Sequence, residues 1–119
     1  VFWDPSHRSS GLLSQAHYSK KFDSYLEFKE AAYGFLVGKA MVAEEKHSRM
    51  EEEIKNIHVP VKIIVAGKGI LVKGGKWYYR HASKPKAFAV IPGADHTFDE
   101  DGAEEKLFKE TFDWFKRFK

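Results

Sequence analysis

Ile91-Pro92-Gly93-Ala94-Asp95-His96-Thr97-Phe98 places a histidine a few residues past an apolar strand and just before an acidic, helix-opening segment. The strand, Lys86-Ala87-Phe88-Ala89-Val90-Ile91, is short and apolar like those buried in parallel sheets, and Pro92-Gly93 closes it. Downstream, Asp101 and Glu104 have the spacing of a capping box. Leu107, Phe108, Thr111, Phe112, Phe115 and Phe118 then share one face at helical spacing, which predicts a final helix packed on the core. Lys116, Arg117 and Lys119 crowd its carboxyl end, where the helix dipole favours cations. The aromatic and basic residues of that last turn also fit a membrane-surface helix, a weaker reading than the core-facing one.

Upstream, Pro60 leads into Val61-Lys62-Ile63-Ile64-Val65-Ala66, a β-branched run suited to a second buried strand. Glycines 67, 69, 74 and 75 predict a loop, and Trp77 to Ala82 a short helix. Lys39 to Asn56 has no breaker and predicts one helix. Phe22 to Phe28 alternates and pairs with Tyr33 to Val37 as a hairpin, with a short helix as the rival reading. Val1-Phe2-Trp3 reads as the end of a buried strand, stopped by Asp4-Pro5. Strand, helix, strand, helix is the alternation of an α/β fold, with about three parallel strands, flanking helices and the hairpin. An apolar run at the very start, without methionine, is expected of a piece of a longer polypeptide; methionine removal is the alternative.

Composition narrows the classes. The 119 residues suit one domain, and 43% hydrophobic residues suffice for a core. A net charge of +3 with interspersed signs gives no nucleic-acid footprint. No apolar run reaches the roughly 18–20 residues of a membrane span. The absence of cysteine excludes disulfides and thiolate metal sites and fits a cytoplasmic protein. Gly67 to Lys76 fails the phosphate-loop register, because Ile stands at 70 and Trp at 77. Asp99-Glu100-Asp101 lacks the alternation of a calcium loop, and His47 and His58 lack zinc-ligand spacing. No cofactor is expected.

The histidine segment, its strand and its final helix resemble the α/β-hydrolase superfamily, in particular its esterase and dienelactone-hydrolase-like members. There a short G-A-x-H-x-F loop after a strand carries the catalytic histidine, and Gly93-Ala94-Asp95-His96-Thr97-Phe98 resembles it. Val59 to Gly67 looks like the preceding core strand, and Trp77-Tyr78-Tyr79 with Lys84-Pro85-Lys86 like the intervening helix and strand entry. The likeness is good over 57–119 and loose over 1–56, where the family inserts a variable cap. The expected organisation is one domain, with a last pre-cap strand and cap-like region (1–56) followed by strand, helix, strand, histidine loop and helix (57–119).

The resemblance makes His96 the general base that activates a serine, since imidazole titrates nearest neutral pH. A loop histidine capping a backbone carbonyl is the plainer alternative. The family's usual acid follows the strand equivalent to Val61–Ala66, and here its expected position is Gly69. Some lipase-like members take the acid from the preceding strand at a D-P step, which Asp4-Pro5 resembles. Asp4 is therefore the candidate orienter, against an ordinary turn aspartate. Tyr33, Phe35 and Trp77 are candidate substrate-lining residues by aromatic type and position alone. None of the serines (6, 9, 10, 14, 19, 24, 48, 83) stands in G-x-S-x-G, so the nucleophile is absent. The expected whole is a serine ester hydrolase whose nucleophile-bearing amino-terminal half is a separate partner. The rival is a non-catalytic relic or interaction module, such as a homodimer paired along an exposed sheet edge.

Overall fold

The computed structural model describes residues 1–5, 17–28, 34–47 and 50–118. It comprises two compact units, one of Val1–His7 with Met50–Lys119 and one of Arg8–Arg49.

The first unit is built on a parallel three-stranded sheet in the order β1 (Phe2–Trp3), β5 (Val61–Ala66), β6 (Lys86–Ile91). The central β5 is buried along its whole length, as its β-branched sequence requires, and Ile63, Ile64 and Val65 are fully enclosed. Alternation divides them between two cores. Ile64 and Ala66 pack with Ile91, Ala94, Phe98, Ala103 and Leu107 beneath α4 (Ala103–Lys116). Val61, Ile63 and Val65 pack with Ile54, Tyr78 and Ala82, residues of α2 (Met50–Lys55), α3 (Val72–His81) and the position just after it. Each enclosed aliphatic side chain contributes about 1.5–3 kcal/mol. Lys62 shares the α4 face, and its Nζ donates to the Glu110 carbonyl at 2.9 Å and to the Glu110 carboxylate.

Four expectations need correction here. Gly74 and Gly75 lie inside α3, which starts at Val72 instead of Trp77. A Cβ at Gly75 would sit 2.3 Å from Val65 Cγ1, so this glycine lets the helix approach β5 closely. The Asp101 capping box does not form: the N-cap of α4 is Gly102, at a left-handed φ of 72° that a side chain would resist. The face that α4 buries is Ala103, Leu107, Thr111 and Trp114, whereas Phe108, Phe112, Phe115 and the following Phe118 are exposed. Likewise β1 is an edge strand, with Val1 and Trp3 exposed. Phe2 stacks on Tyr78, and Trp3 donates from Nε1 to Thr111 Oγ1 at 3.0 Å.

The second unit is an antiparallel sheet, β2 (His17–Ser19), β3 (Ser24–Phe28) and β4 (Gly34–Val37), followed by α1 (Lys39–His47). The hairpin expected from alternation is β3–β4, with Leu26 opposite Leu36. β2 was not expected, because three residues are too few to establish a period. Asp23 accepts from both Tyr18 and Lys39, and the Lys39 hydrogen bond is the main reason its carboxyl is held below the ordinary value. The helix expected from 39 to 56 is described as α1 and α2, which fall in different units; residues 48 and 49 lie outside the described ones. Among the described residues no helix is long and apolar enough to cross a membrane.

Candidate active site

In a parallel sheet the carboxyl ends of all strands lie on one edge, where loops from different strands meet. Asp4 follows β1, Gly67–Gly69 follow β5, and the 92–98 segment follows β6. The Asp4 N–H continues the ladder by donating to the Ile64 carbonyl at 2.7 Å. Asp4 then adopts a φ of 41°, a left-handed conformation that aspartate tolerates better than most residues. That turn directs its carboxylate inward, where it is 1% exposed. Oδ1 accepts the Ala66 N–H at 3.2 Å, and Oδ2 lies 2.7 Å from His96 Nδ1.

This contact fixes the histidine's tautomer. An ionised carboxylate only accepts, so Nδ1 carries the proton and the lone pair of the neutral ring sits on Nε2. The His96 side chain is 68% exposed, so Nε2 is presented outward while Nδ1 is held on a buried acid. A base that faces solvent and is oriented by a carboxylate behind it is the arrangement proton transfer requires. The chain thus brings together two of its predicted site residues, 92 positions apart.

The loop bearing His96 is anchored on both sides. Ala94 and Phe98 plug into the α4-side core at 0% and 6% exposure. Phe98 holds a φ of 57°, unusual for a bulky residue and kept only because its surroundings over-determine it. The Ala94 carbonyl accepts from Lys68 N–H at 2.9 Å, and the Ile91 carbonyl from Gly67 N–H at 2.9 Å. Those two bonds tie the loops after β5 and β6 together. Gly69, where the family resemblance led one to look for the acid, lies beside the acid that is present. A Cβ at position 69 would be 3.4 Å from Asp4 Oδ2. Two alternative origins of a carboxylate therefore converge on one point beside His96.

Asp95 does not bond to His96. Its Oδ1 accepts from the Thr97 N–H at 3.0 Å and lies 2.7 Å from the Thr97 hydroxyl, which is also 2.8 Å from Asp99 Oδ1. These bonds, the hydroxyl's foremost, hold the Asp95 carboxyl below its ordinary value. A depressed carboxylate contributes stability that is present above the unfolded pKa of about 4 and is lost as pH falls through the lower folded value. The Asp95 side-chain carboxyl ¹³C resonance should accordingly show its main change only below pH about 4. A shift centred near neutrality would contradict the assignment. Asp95, Asp99 and Glu100 are the one group of acids among the described residues close enough together to hold a cation. Asp95, Asp99 and Glu100 oxygens already serve the loop's own hydrogen bonds.

Of the lining candidates, Trp77 is the one among the described residues of the first unit. Trp77 packs against the rings of Tyr78 and His81 and the α3-side core. Phe35 belongs to β4 of the second unit, paired with Glu27. Tyr33 lies outside the described residues.

No protein-family model matches the sequence, and no curated protein does. Among solved structures, the fold matches the esterase domain of a Rhodothermus marinus protein, with a TM-score of 0.71 at 12% identity. The match covers 97% of this chain and 49% of that one. The chain shares a partial α/β architecture with that domain. At this identity the likeness concerns backbone architecture, and the chain spans about half the length of the structure it matches.

Proposed function

We propose that this chain is the carboxyl-terminal half of a serine ester hydrolase, supplying the general base His96 and its orienting acid Asp4. The observation that carries the reading is the 2.7 Å contact from an exposed imidazole to a carboxylate that is 1% exposed. A buried acid behind an outward ring sets the tautomer and steadies the imidazolium formed when a serine is deprotonated. The substrate would be a small carboxylic ester. The nucleophile would come from a G-x-S-x-G elbow on the other half, whose backbone N–H groups would hold the oxyanion.

A surface suited to that other half supports the reading. Among the described residues β1 pairs with β5 and carries no strand on its other side, an edge suited to a further strand. Beside that edge, exposed Trp3 meets Phe108 with ring centroids 5.9 Å apart. Phe112 and Phe115 follow Phe108 at four and seven residues, on the same flank of α4. An open parallel edge next to an aromatic helix flank is what a strand and its covering helix bury in an α/β sheet.

The decisive test is to characterise the protein from its source by native mass spectrometry and to assay hydrolysis of p-nitrophenyl acetate. A species that includes a G-x-S-x-G segment and turns over the ester is expected, while the 119 residues alone are expected to be inert. Chains of 119 residues only, with no turnover, would instead favour the interaction module. Phe112→Glu with Phe115→Glu should change the unfolding free energy of this chain by about 0.5 kcal/mol or less, as surface substitutions do. The same variant should fail to assemble with the other half. Intact assembly would remove the α4 flank from the interface.

A further inference from the structure

We propose that Glu100 is a positioning residue: by accepting the Asp95 N–H its carboxylate clamps the backbone of the His96 loop and so keeps the imidazole on Asp4. The catalytic meaning of the clamp rests on the hydrolase reading, whereas the clamp itself can be read on this chain alone.

His96 needs such a device because its ring is 68% exposed, so packing does little to hold it. Its direction depends on the backbone that carries it. The residue immediately before it, Asp95, donates its N–H to both oxygens of Glu100, at 2.9 and 3.0 Å. A carboxylate accepting a backbone N–H makes a charge-assisted bond, stronger than an amide–carbonyl one. Glu100 Oε1 also lies 3.5 Å from Lys68 Nζ, and the Lys68 backbone N–H donates to the Ala94 carbonyl at 2.9 Å. The bonds close a ring through Ala94, Asp95, Glu100 and Lys68 that joins the His96 loop to the loop beside Asp4. Within that ring the Lys68 ammonium is 63% exposed, and an exposed ion pair contributes little. The Asp95 N–H bond is the effective element, so geometry predicts a strong dependence on Glu100 and a weak one on Lys68.

The ring ¹⁵N resonances of His96 report which nitrogen carries the proton, and a role confined to general stability would not change them. In the 119-residue chain with the ring neutral, His96 is expected to favour the Nδ1-protonated form. Glu100→Ala should lower the ratio of Nδ1- to Nε2-protonated forms by about tenfold, the equivalent of one lost charge-assisted hydrogen bond. Glu100→Gln, whose amide oxygen still accepts, should recover part of it, and Lys68→Ala should leave the ratio within about twofold. If Glu100→Ala fails to fold, Glu100→Asp, too short to reach the Asp95 N–H, gives the same reading. A parent-like ratio in the folded Glu100 variants overturns the clamp and leaves the hydrolase proposal standing. A parent chain without the Nδ1-protonated preference removes the pairing with Asp4, and both proposals fall.

Discussion

On the proposed hydrolase reading, replacing His96 with alanine in the completed protein is expected to lower kcat for a short ester by about 10⁴-fold or more, with KM little changed. Without imidazole the serine keeps its proton at neutral pH, and only binding and the oxyanion donors remain to accelerate the reaction. His96 is exposed and Phe98 and Ala94 carry the loop's packing, so the unfolding transition should hardly move. A loss of activity accompanied by a large loss of stability would point to a structural histidine. Asp4→Asn is expected to be nearly as damaging, because an amide no longer enforces the Nδ1-protonated ring. The convergence of positions 4 and 69 offers a sharper version. Asp4→Gly should be tolerated at a φ of 41°, and adding Gly69→Asp should restore activity above that single variant, since the new side chain starts 3.4 Å from the lost carboxylate oxygen. No recovery would mean that the acid works from Asp4 by more than its location.

The second large effect concerns stability. Gly75→Ala should destabilise the first unit by about 3 kcal/mol, the upper part of the range for overpacking a tight core. The added Cβ would meet Val65 Cγ1 at 2.3 Å, and Val65 is fully buried in the central strand. Helix α3 would have to lift from the sheet, loosening Tyr78 and Ala82 from their cluster. Adding Val65→Ala should return part of the loss by removing the methyl in the way. Denaturant unfolding of the two single variants and the double variant measures this coupling. If Gly75→Ala costs less than about 1 kcal/mol, the close approach of helix and strand is not what this glycine provides.

The elements that sequence reading recovered share a trait. β5, β6, the hairpin and α4 each have a pattern complete within a few residues: a β-branched run, an alternation, or a helical stripe. The errors lie where a distant neighbour decides. Gly74 and Gly75 read locally as breakers, yet α3 runs through them because β5 lies close beneath. Asp101 and Glu104 have capping spacing, but the chain enters α4 through Gly102. The aromatic residues of α4 share a stripe, but Leu107 and Trp114 are buried while Phe112 is left to solvent. Glu100 carried no signal at all, being one acid among three at a helix start.

By itself the sequence determined the alternation of strand and helix, and hence a parallel sheet, because periodicity dictates which faces must be buried wherever the chain goes. It also marked His96 by its place between a core strand and a final helix. Asp4 was offered only by the resemblance of Asp4-Pro5 to a lipase-like D-P step, and the tertiary structure decided that its carboxylate meets that histidine. A hydrogen bond across 92 positions depends on three strand ends meeting at one sheet edge, and no local pattern encodes that meeting.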